Sequence, residues 1–152
     1  MHSNLSHLIP NFKQPRPQLV TGGQPEPDSW KQLADAGIKT VINLRPAAEL
    51  PGRNEEKEVT DANLIYVNLP VEGPASLNKD QVKALWEVLH SADGGVLVHC
   101  GTGNRCGAML ALTEGWFRQN DIEDAIAFGK QAGLSGLEPV IRDLLKKSPD
   151  HR

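Results

Sequence analysis

Short apolar runs alternate with segments of helical periodicity along most of the chain. The strongest apolar run, Ile38–Leu44, is rich in β-branched residues, which favours a strand. A helix is predicted where apolar residues recur at intervals of three and four, and Leu137–Lys147 shows this spacing most clearly. The pattern predicts four strands, at Gln18–Thr21, Ile38–Leu44, Leu64–Leu69 and Val96–His99.

Six helical segments are predicted between and after these strands. They cover residues 25–37, 55–62, 78–91, 106–119, 121–131 and 137–147. Asn78 is a candidate N-cap, because its short polar side chain can accept a hydrogen bond from the first turn. Residues 1–17 are polar and contain three prolines, so they are predicted to form an extended or loosely ordered N-terminal lead-in.

The order of these elements predicts the fold class. Strands that alternate with helices form mostly parallel sheets that carry helices on both faces. We therefore predict an α/β fold with a mostly parallel central sheet of four to five strands flanked by helices. A chain of 152 residues is long enough for one domain, which we place at residues 18–148.

Polar residues that could carry chemistry follow three of the predicted strands. Arg45 follows the second strand, Glu72 follows the third, and Cys100 follows the fourth. Ligands gather outside the carboxyl ends of parallel strands, so these side chains are predicted to share one edge of the sheet. Asp93 precedes the fourth strand and is predicted to lie at the opposite edge, which excludes it as a catalytic acid.

Composition narrows the choice of partners and of cellular setting. The net charge of −3 argues against a general nucleic-acid binder, and no apolar stretch approaches the length of a membrane span. The first residues lack the basic and apolar regions of a signal peptide, so we expect a cytoplasmic protein. Two cysteines are too few for a disulfide scaffold, and the five histidines are not at metal-ligand spacing, so no metal is predicted.

The most informative stretch is the loop of small residues after the fourth strand. Cys100 ends the strand, Gly101 and Gly103 allow the backbone to fold back, and Arg105 lies at the start of the next helix. Backbone N–H groups and the helix dipole favour an anion at such a turn and lower the pKa of a cysteine held there. The guanidinium of Arg105 adds a planar fork that matches phosphate or sulfate oxygens. The loop is therefore predicted to combine a nucleophile with an anion-binding cradle.

Other phosphate-binding loops fit this stretch less well. A dinucleotide fingerprint is weak, because Gly107 comes one position late and no later strand supplies a ribose-binding acid. A Walker-type loop is excluded, because no Gly-Lys-Ser or Gly-Lys-Thr follows the glycines. Two cysteine loops remain. Cysteine phosphatases carry His-Cys, five residues and Arg, whereas rhodanese-type sulfurtransferases carry Cys, four residues and Arg; this chain has His99-Cys100 with the shorter spacing.

Three motifs together resemble a known family. They are Gly22-Gly23-Gln24-Pro25, Val41-Ile42-Asn43-Leu44-Arg45 and Val98-His99-Cys100-Gly101-Thr102-Gly103-Asn104-Arg105. In this order and separation they resemble the bacterial tyrosine-phosphatase-like domain. That domain also occurs in beta-lactamase-hydrolase-like proteins and belongs to the cysteine (dual-specificity) phosphatase superfamily. The resemblance extends from about Val20 to Leu145 and implies a cysteine-phosphatase-like fold, and the two upstream motifs do not resemble rhodanese.

The resemblance implies a thiolate mechanism that needs no metal or organic cofactor. Cys100 would attack phosphorus and form a cysteinyl-phosphate, which water would then hydrolyse. Arg105 and backbone N–H groups would hold the phosphate oxygens and stabilise the developing charge. The implied phosphate-binding residues are Gly101, Thr102, Gly103, Asn104, Arg105 and Cys106.

The chain departs from the family pattern at several positions. The loop is one residue shorter, which narrows the cradle, and Cys106 stands where the family has Ser or Thr. No aspartate occupies the loop expected to supply the general acid. Glu72 is the best-placed carboxyl and Asp80 the runner-up, although Glu72 could be a solvated charge and Asp80 could complement a helix dipole. Cys106 could trap an oxidised Cys100 as a reversible disulfide, or it could be a small residue packed at the helix start.

Two residues beside the loop also have open roles. Arg45 could contact substrate or pair with an acid such as Glu49. His99 is predicted to be a buried, hydrogen-bonded residue at the end of the strand rather than a base. The predicted aromatic anchors of the core are Trp30, Trp86 and Trp116.

Three functions remain open on the sequence alone. The first is a cysteine-dependent phosphatase of the protein-tyrosine or dual-specificity type, acting on a phosphomonoester in a phosphorylated small molecule or a phosphoprotein. The second is a sulfurtransferase that carries a persulfide on Cys100, which the short loop favours. The third is a non-catalytic phosphate- or sulfate-binding pseudophosphatase, which the missing aspartate favours. The upstream motifs favour the phosphatase.

Overall fold

A five-stranded sheet lies at the centre of the computed structural model, which describes residues 5–46 and 51–147. The strands are β1 (Lys13–Arg16), β2 (Leu19–Gly22), β3 (Ile38–Asn43), β4 (Ile65–Asn68) and β5 (Gly95–His99). Their order across the sheet is β1-β2-β5-β3-β4. β1 pairs with β2 in the antiparallel sense, and the other neighbours are parallel. The prediction of a mostly parallel α/β sheet is therefore confirmed.

Helices cover both faces of this sheet. Within the described residues they are α1 (Trp30–Asp35), α2 (Glu55–Asp61), α3 (Lys79–Ser91), α4 (Asn104–Trp116), α5 (Ile122–Gln131) and α6 (Glu138–Lys147). Asn78 caps α3 as predicted, because its side chain accepts a hydrogen bond from the backbone N–H of Gln81. The first helix begins at Trp30, later than the predicted Pro25, because a residue that precedes a proline, such as Glu26, disfavours helical backbone angles.

β5 is the central strand and is buried on both faces. Val96 and Val98 belong to the core cluster on the face of α4, whereas Leu97 belongs to the cluster on the face of α1 and α2. This alternation is what a strand requires, because successive side chains point to opposite faces. α4 lies against β5, and its residues from Cys106 to Trp116 are all buried. The strand and helix on either side of the cysteine loop are therefore fixed by the core.

The N-terminal segment is more ordered than predicted. Residues Lys13–Arg16 form an edge strand, and Leu5 and Ile9 are buried in the cluster that contains Val20. The backbone N–H of Gly23 also donates to the carbonyl oxygen of Pro10 over 2.7 Å. Apolar residues recur here at intervals of three and four, at Leu5, Leu8, Ile9 and Phe12, but Pro10 argues against a helix, so no element is predicted. Leu5 and Ile9 nevertheless cover part of the sheet, and β1 is an extended part of the predicted lead-in.

Two of the three tryptophans are core anchors as predicted. Trp30 and Trp116 are buried, but the side chain of Trp86 is only half-buried. Its ring stacks between those of His90 and Phe117, with centroid distances of 5.2 Å and 5.6 Å. Trp86 thus covers the edge of the core rather than filling its centre.

Candidate active site

The loop after β5 makes a tight turn into α4. β5 ends at His99 and α4 begins at Asn104. Gly103 is the N-cap of α4 and has a φ of 100°, in the left-handed region that favours glycine. On the other side, β2 approaches so closely that a Cβ on Gly23 would lie 2.6 Å from the carbonyl oxygen of Gly101. The glycines of the first motif therefore allow the end of β2 to pack against the cysteine loop.

Hydrogen-bond donors surround the Cys100 sulfur. The backbone N–H of Gly103 lies 3.0 Å from Sγ, and the Cys106 S–H points at it from 3.6 Å. The Cys106 S–H contributes most, and together with the backbone N–H groups of Cys106, Gly103 and Thr102 it lowers the pKa of Cys100 to about 5, against the opposing effect of burial. With this pKa, Cys100 is mainly a thiolate at neutral pH.

Cys106 has the opposite electrostatic environment. It is fully buried in the first turn of α4, where its sulfur also lies 3.3 Å from the carbonyl oxygen of Val98. Burial, followed by the hydrogen bond to Cys100, raises the pKa of the Cys106 thiol well above its ordinary value. Cys106 therefore keeps its proton and serves as the donor to the Cys100 thiolate.

Arg105 connects the cysteine loop to the segment that follows β4. Its Nη1 donates to the carbonyl oxygen of Val71 over 3.1 Å, and its Nη2 would lie 3.3 Å from a Cβ placed on Gly101. Arg105 and Glu72 both line a cavity of about 160 Å³, and the Glu72 side chain is exposed. The structure thus brings Cys100, Arg105 and Glu72 to the same end of the sheet.

The other carboxyls considered from the sequence lie elsewhere. Asp80 is in the first turn of α3, where it can complement the helix dipole. Asp93 lies in the turn that precedes β5, at the opposite end of the strand from Cys100. Among these candidates, Glu72 is the one that shares a cavity with Arg105.

His99 is buried and engaged by a glutamate that the sequence analysis missed. Its Nε2 lies 2.6 Å from Oε2 of Glu55, and both side chains are almost fully buried. Nδ1 of His99 has no hydrogen-bond partner among the described residues, which fits a proton on Nε2 that is donated to Glu55. The geometry agrees with a hydrogen-bonded residue at the strand end. Glu55 is 44 positions from His99 in the sequence, and no local pattern links them.

Gln24 extends this buried network to Arg45. Its Nε2 donates to Oε1 of Glu55 over 2.7 Å, and its Oε1 lies 3.5 Å from Nη1 of Arg45. Arg45 also lines a cavity of about 460 Å³ at this end of the sheet, together with Asn43, Arg53, Tyr66 and Asn68 among others. The alternative partner, Glu49, lies outside the described residues. Gln24 lies in the motif Gly22-Gly23-Gln24-Pro25, and that motif is the sequence signal that could have identified Gln24 as a residue of the site.

The remaining residues of the predicted cradle take different positions. Thr102 is exposed at the tip of the loop. The side chain of Asn104 turns away to the segment before α6, where Oδ1 accepts from the backbone N–H of Ser135 over 2.9 Å and of Leu137 over 3.4 Å. The side chain of Asn104 therefore braces the loop against the segment before α6.

Neither a metal site nor a membrane span is found in the described residues. No group of three or more His, Cys, Asp or Glu side chains there could hold a metal ion. None of the helices in residues 5–46 and 51–147 combines the length and the apolar character that crossing a bilayer requires.

Comparison with known proteins identifies a phosphatase family. A family model described as "Tc-R-P: Polymorphic toxin system, DSP-PTPase phosphatase" matches residues 18–117. A beta-lactamase hydrolase-like protein of Agrobacterium fabrum is 33% identical over 124 residues, which cover 77% of this chain and 28% of that protein. A protein of the same description from Xylella fastidiosa is 32% identical over 113 residues, covering 70% of this chain and 26% of that protein. The chain thus spans about a quarter of the length of the curated relatives it matches.

Solved structures share the fold. A candidate phosphatase of the DUF442 group from Shewanella putrefaciens superposes with a TM-score of 0.70 and 25% identity, covering 97% of both chains. A candidate phosphatase from Neisseria meningitidis gives a TM-score of 0.73 at 22% identity, covering 93% of this chain and 99% of that one, and this likeness concerns the fold alone. The family match begins just before β2, includes the cysteine loop and ends just after α4. The chain therefore belongs to the DSP-PTPase phosphatase family of polymorphic toxin systems and carries a protein-tyrosine-phosphatase-like cysteine phosphatase domain.

Proposed function

We propose that this chain is a cysteine-dependent phosphatase that hydrolyses phosphomonoesters through a cysteinyl-phosphate intermediate. The observation that carries the proposal is the Cys100 sulfur, which accepts from the Gly103 N–H over 3.0 Å and whose pKa is lowered to about 5. Membership of a phosphatase family supports the reaction class. A thiolate that is stable at neutral pH beside anion-binding N–H groups is the nucleophile that this chemistry requires.

The first step is an in-line attack of Cys100 Sγ on phosphorus, with departure of the ester oxygen. Backbone N–H groups of the loop and the guanidinium of Arg105 hold the equatorial oxygens and stabilise the charge that develops on them. The hydrogen bond from Nη1 to Val71 fixes the guanidinium plane beside Gly101, so that the fork is oriented before substrate arrives. Arg45, positioned through Gln24, is a candidate contact for the rest of the substrate.

Glu72 is the proposed general acid that protonates the leaving group, because it shares a cavity with Arg105. Water then hydrolyses the cysteinyl-phosphate, and Cys100 leaves as a thiolate. The Cys106 S–H, 3.6 Å from that sulfur, stabilises the departing thiolate. No metal or organic cofactor takes part in this scheme. We propose a phosphorylated small molecule or a phosphoprotein as substrate, no nucleic-acid or membrane partner, and action in the cytoplasm.

Turnover of an aryl phosphate tests the proposal. We expect the wild-type chain to hydrolyse it and Cys100→Ser to lose at least about 10³-fold in kcat, because a serine at this position is not ionised. Acid quenching during turnover should trap phosphate on the peptide that contains Cys100. The Cys100→Ser variant should still be protected against heat by sulfate, which serves as the control for a folded cradle. Undiminished turnover by Cys100→Ser would contradict the proposal.

A sulfurtransferase is the second candidate, favoured by two specific observations. Four residues separate Cys100 from Arg105, and the Cys100 side chain is 0% exposed, which suits a small sulfur donor. Transfer of sulfur from thiosulfate to cyanide, lost in Cys100→Ser, would support this candidate. Protection by phosphate or sulfate with neither activity would instead support the anion-binding pseudophosphatase.

A further inference from the structure

A cavity of about 370 Å³ lies at the end of the sheet opposite the cysteine loop. Leu19 of β2 and Val96 of β5 form its floor, and residues of α3 and α4 form its walls, so we call it the α3/α4 cavity. Val96 precedes Cys100 by four residues on the central strand, which places the floor about 13 Å from the cysteine. The residues that line this cavity have no part in the proposed phosphatase reaction.

The floor and the α3 wall of this cavity are apolar and are held in place by packing. Leu19 and Val96 are buried in the core cluster, and Leu89 of α3 packs against that cluster. Trp86, on the same wall, has its ring stacked between two other aromatic rings. Because packing fixes these side chains, the cavity is formed before a ligand arrives, and its volume is in the range of small-molecule sites.

A buried carboxylate lies on the α4 wall. Glu114 is 3% exposed, and its Oε1 accepts from Nη2 of Arg16 and from Nδ2 of Asn120, each over 2.9 Å. Its Oε2 lies 3.5 Å from Nε of Arg118. A buried carboxylate is costly unless it is paired, and this one is paired by the protein itself. Glu114 therefore holds two guanidinium groups beside the cavity and does not call for a cationic ligand.

The two arginines leave this cavity suited to an anion. Arg16 and Arg118 both line it, and their side chains are 37% and 54% exposed. Each guanidinium carries five N–H donors, and a single carboxylate cannot engage all ten. Glu114 also balances only one of the two positive charges. The lining thus offers N–H donors and one unbalanced positive charge next to an apolar floor.

We propose that the α3/α4 cavity binds a small organic monoanion, in which one carboxylate is attached to a compact apolar body. The carboxylate lies against Arg16 and Arg118, since the planar fork of a guanidinium matches two carboxylate oxygens. The apolar body packs against Leu19, Leu89 and Val96. Inorganic phosphate and sulfate have no such body, so the cavity discriminates against the anions that suit the cysteine loop. The proposal goes beyond the phosphatase function and does not depend on it.

Titration of the full chain with 2-naphthoate tests the proposal, because this probe joins a carboxylate to an apolar ring system. In ¹H–¹⁵N NMR spectra, we expect the backbone amides of Gln18, Gly94 and Arg118 to shift together and to saturate, with a Kd of about 1 mM or tighter. Amides of residues 101–106 should shift less. 2-Naphthamide has the same shape without the charge and should bind at least about fivefold more weakly. Acetate lacks the rings and should cause no saturable shift.

Arg118→Gln removes one guanidinium from the cavity. This variant should bind 2-naphthoate at least about fivefold more weakly but 2-naphthamide as wild type does, and its spectrum shows directly whether it is folded. Lys57→Gln is the matched control, because Lys57 is also an exposed cation paired with an acid four positions away. It lies on α2, on the other face of the sheet, and should leave the Kd within about twofold of the wild-type value.

Three results would overturn the proposal: no saturable shift of the three amides, equal Kd values for 2-naphthoate and 2-naphthamide, or an unchanged Kd in Arg118→Gln. Shifts confined to residues 101–106 would place the probe in the cysteine loop and would also contradict it. Every measurement is made without turnover, so the result stands whether or not the chain proves to be a phosphatase.

Discussion

Cys100 and Glu72, the proposed nucleophile and the proposed acid, lie in two regions of contrasting construction. Around Cys100, β5 and most of α4 are buried, and the sulfur is held by N–H and S–H donors. Around Glu72, Val71 and Leu77 of the segment between β4 and α3 are buried, whereas the Glu72 side chain itself is exposed. The hydrogen bond from Nη1 of Arg105 to the carbonyl oxygen of Val71 joins the two regions. The difference indicates that packing fixes the cysteine loop, the proposed anion cradle, in advance, whereas the proposed acid depends on a few local contacts.

The largest expected difference between the two regions is in their tolerance of an added methyl group. A Cβ on Gly107 in α4 would lie 2.1 Å from the backbone nitrogen of Leu134 and 2.5 Å from the carbonyl oxygen of Gly129, and backbone atoms cannot easily move aside. Gly107→Ala should therefore lower the free energy of unfolding by about 3 kcal/mol or more. A Cβ on Gly73, beside Glu72, would have no other atom within 4 Å, so Gly73→Ala should change this free energy by less than about 1 kcal/mol.

Urea unfolding of both variants measures this contrast. Similar midpoints for Gly107→Ala and Gly73→Ala would mean that α5 can shift away from α4, and the description of a rigid cradle would be wrong. The comparison needs no enzymatic activity, and it separates the packing of the two regions from their chemistry.

The same contrast explains what could be predicted from the sequence. The sequence predicted a cysteine at the carboxyl end of a parallel strand, from the apolar run of β5, the small residues after it and the start of the next helix. The structure has this arrangement. Such features are local, because each depends on neighbouring residues in one strand, turn or helix. The buried strand was predictable for the same reason, since its neighbours on both faces impose a continuous apolar run.

Contacts between distant segments could not be predicted in this way. Glu55 lies at the start of α2, where an acidic residue is ordinary, and nothing in its surroundings indicates a pairing with His99. Leu5 and Ile9 were missed because Pro10, between otherwise regularly spaced apolar residues, argues against a helix. The contact from Arg105 to Val71 joins positions 34 residues apart, and only the folded sheet brings them together.

A second, smaller change in stability tests whether the rigid region around Cys100 includes the hydrogen bonds that Glu55 accepts. Both Glu55 oxygens accept hydrogen bonds, from His99 and from Gln24. Glu55→Gln replaces one acceptor with an N–H₂ group that faces a donor, so it should cost about 2 kcal/mol of unfolding free energy. Glu56→Gln is the matched control, because the side chain of this neighbouring residue is exposed, and it should cost less than about 0.5 kcal/mol. If chemical denaturation gave the same loss of unfolding free energy for Glu55→Gln and Glu56→Gln, Glu55 would lie outside the rigid part of the site.

The third effect concerns the charge of the Cys100 sulfur. The pKa of Cys100 is lowered to about 5, with the Cys106 S–H as the largest cause. Its alkylation rate should therefore rise as the pH increases through about 5 and then level off, since the thiolate is the reactive form. Cys106→Ala removes the S–H donor and should move this midpoint upward by about one unit, equivalent to about 1.4 kcal/mol.

Cys106→Ser separates the loss of the donor from the loss of the sulfur atom. Its hydroxyl can still donate to Cys100, so the midpoint should stay closer to that of the wild type than in Cys106→Ala. Iodoacetamide labelling followed by mass spectrometry of peptide 84–105 gives the midpoint for each protein. An unchanged midpoint in Cys106→Ala would assign the low pKa to the backbone N–H groups alone.

The smallest effect is expected at the exposed acid. An aryl phosphate has a good leaving group that needs little protonation, so Glu72→Gln should reduce kcat for it by less than about tenfold, or about 1.4 kcal/mol. An alkyl phosphate has a poorer leaving group and should lose more. Glu87→Gln, an exposed carboxylate on α3, is the matched control and should leave both rates unchanged. Equal rates for Glu72→Gln and wild type on both esters would make Glu72 a solvated charge. The proton for the leaving group would then have to come from a different residue or from water.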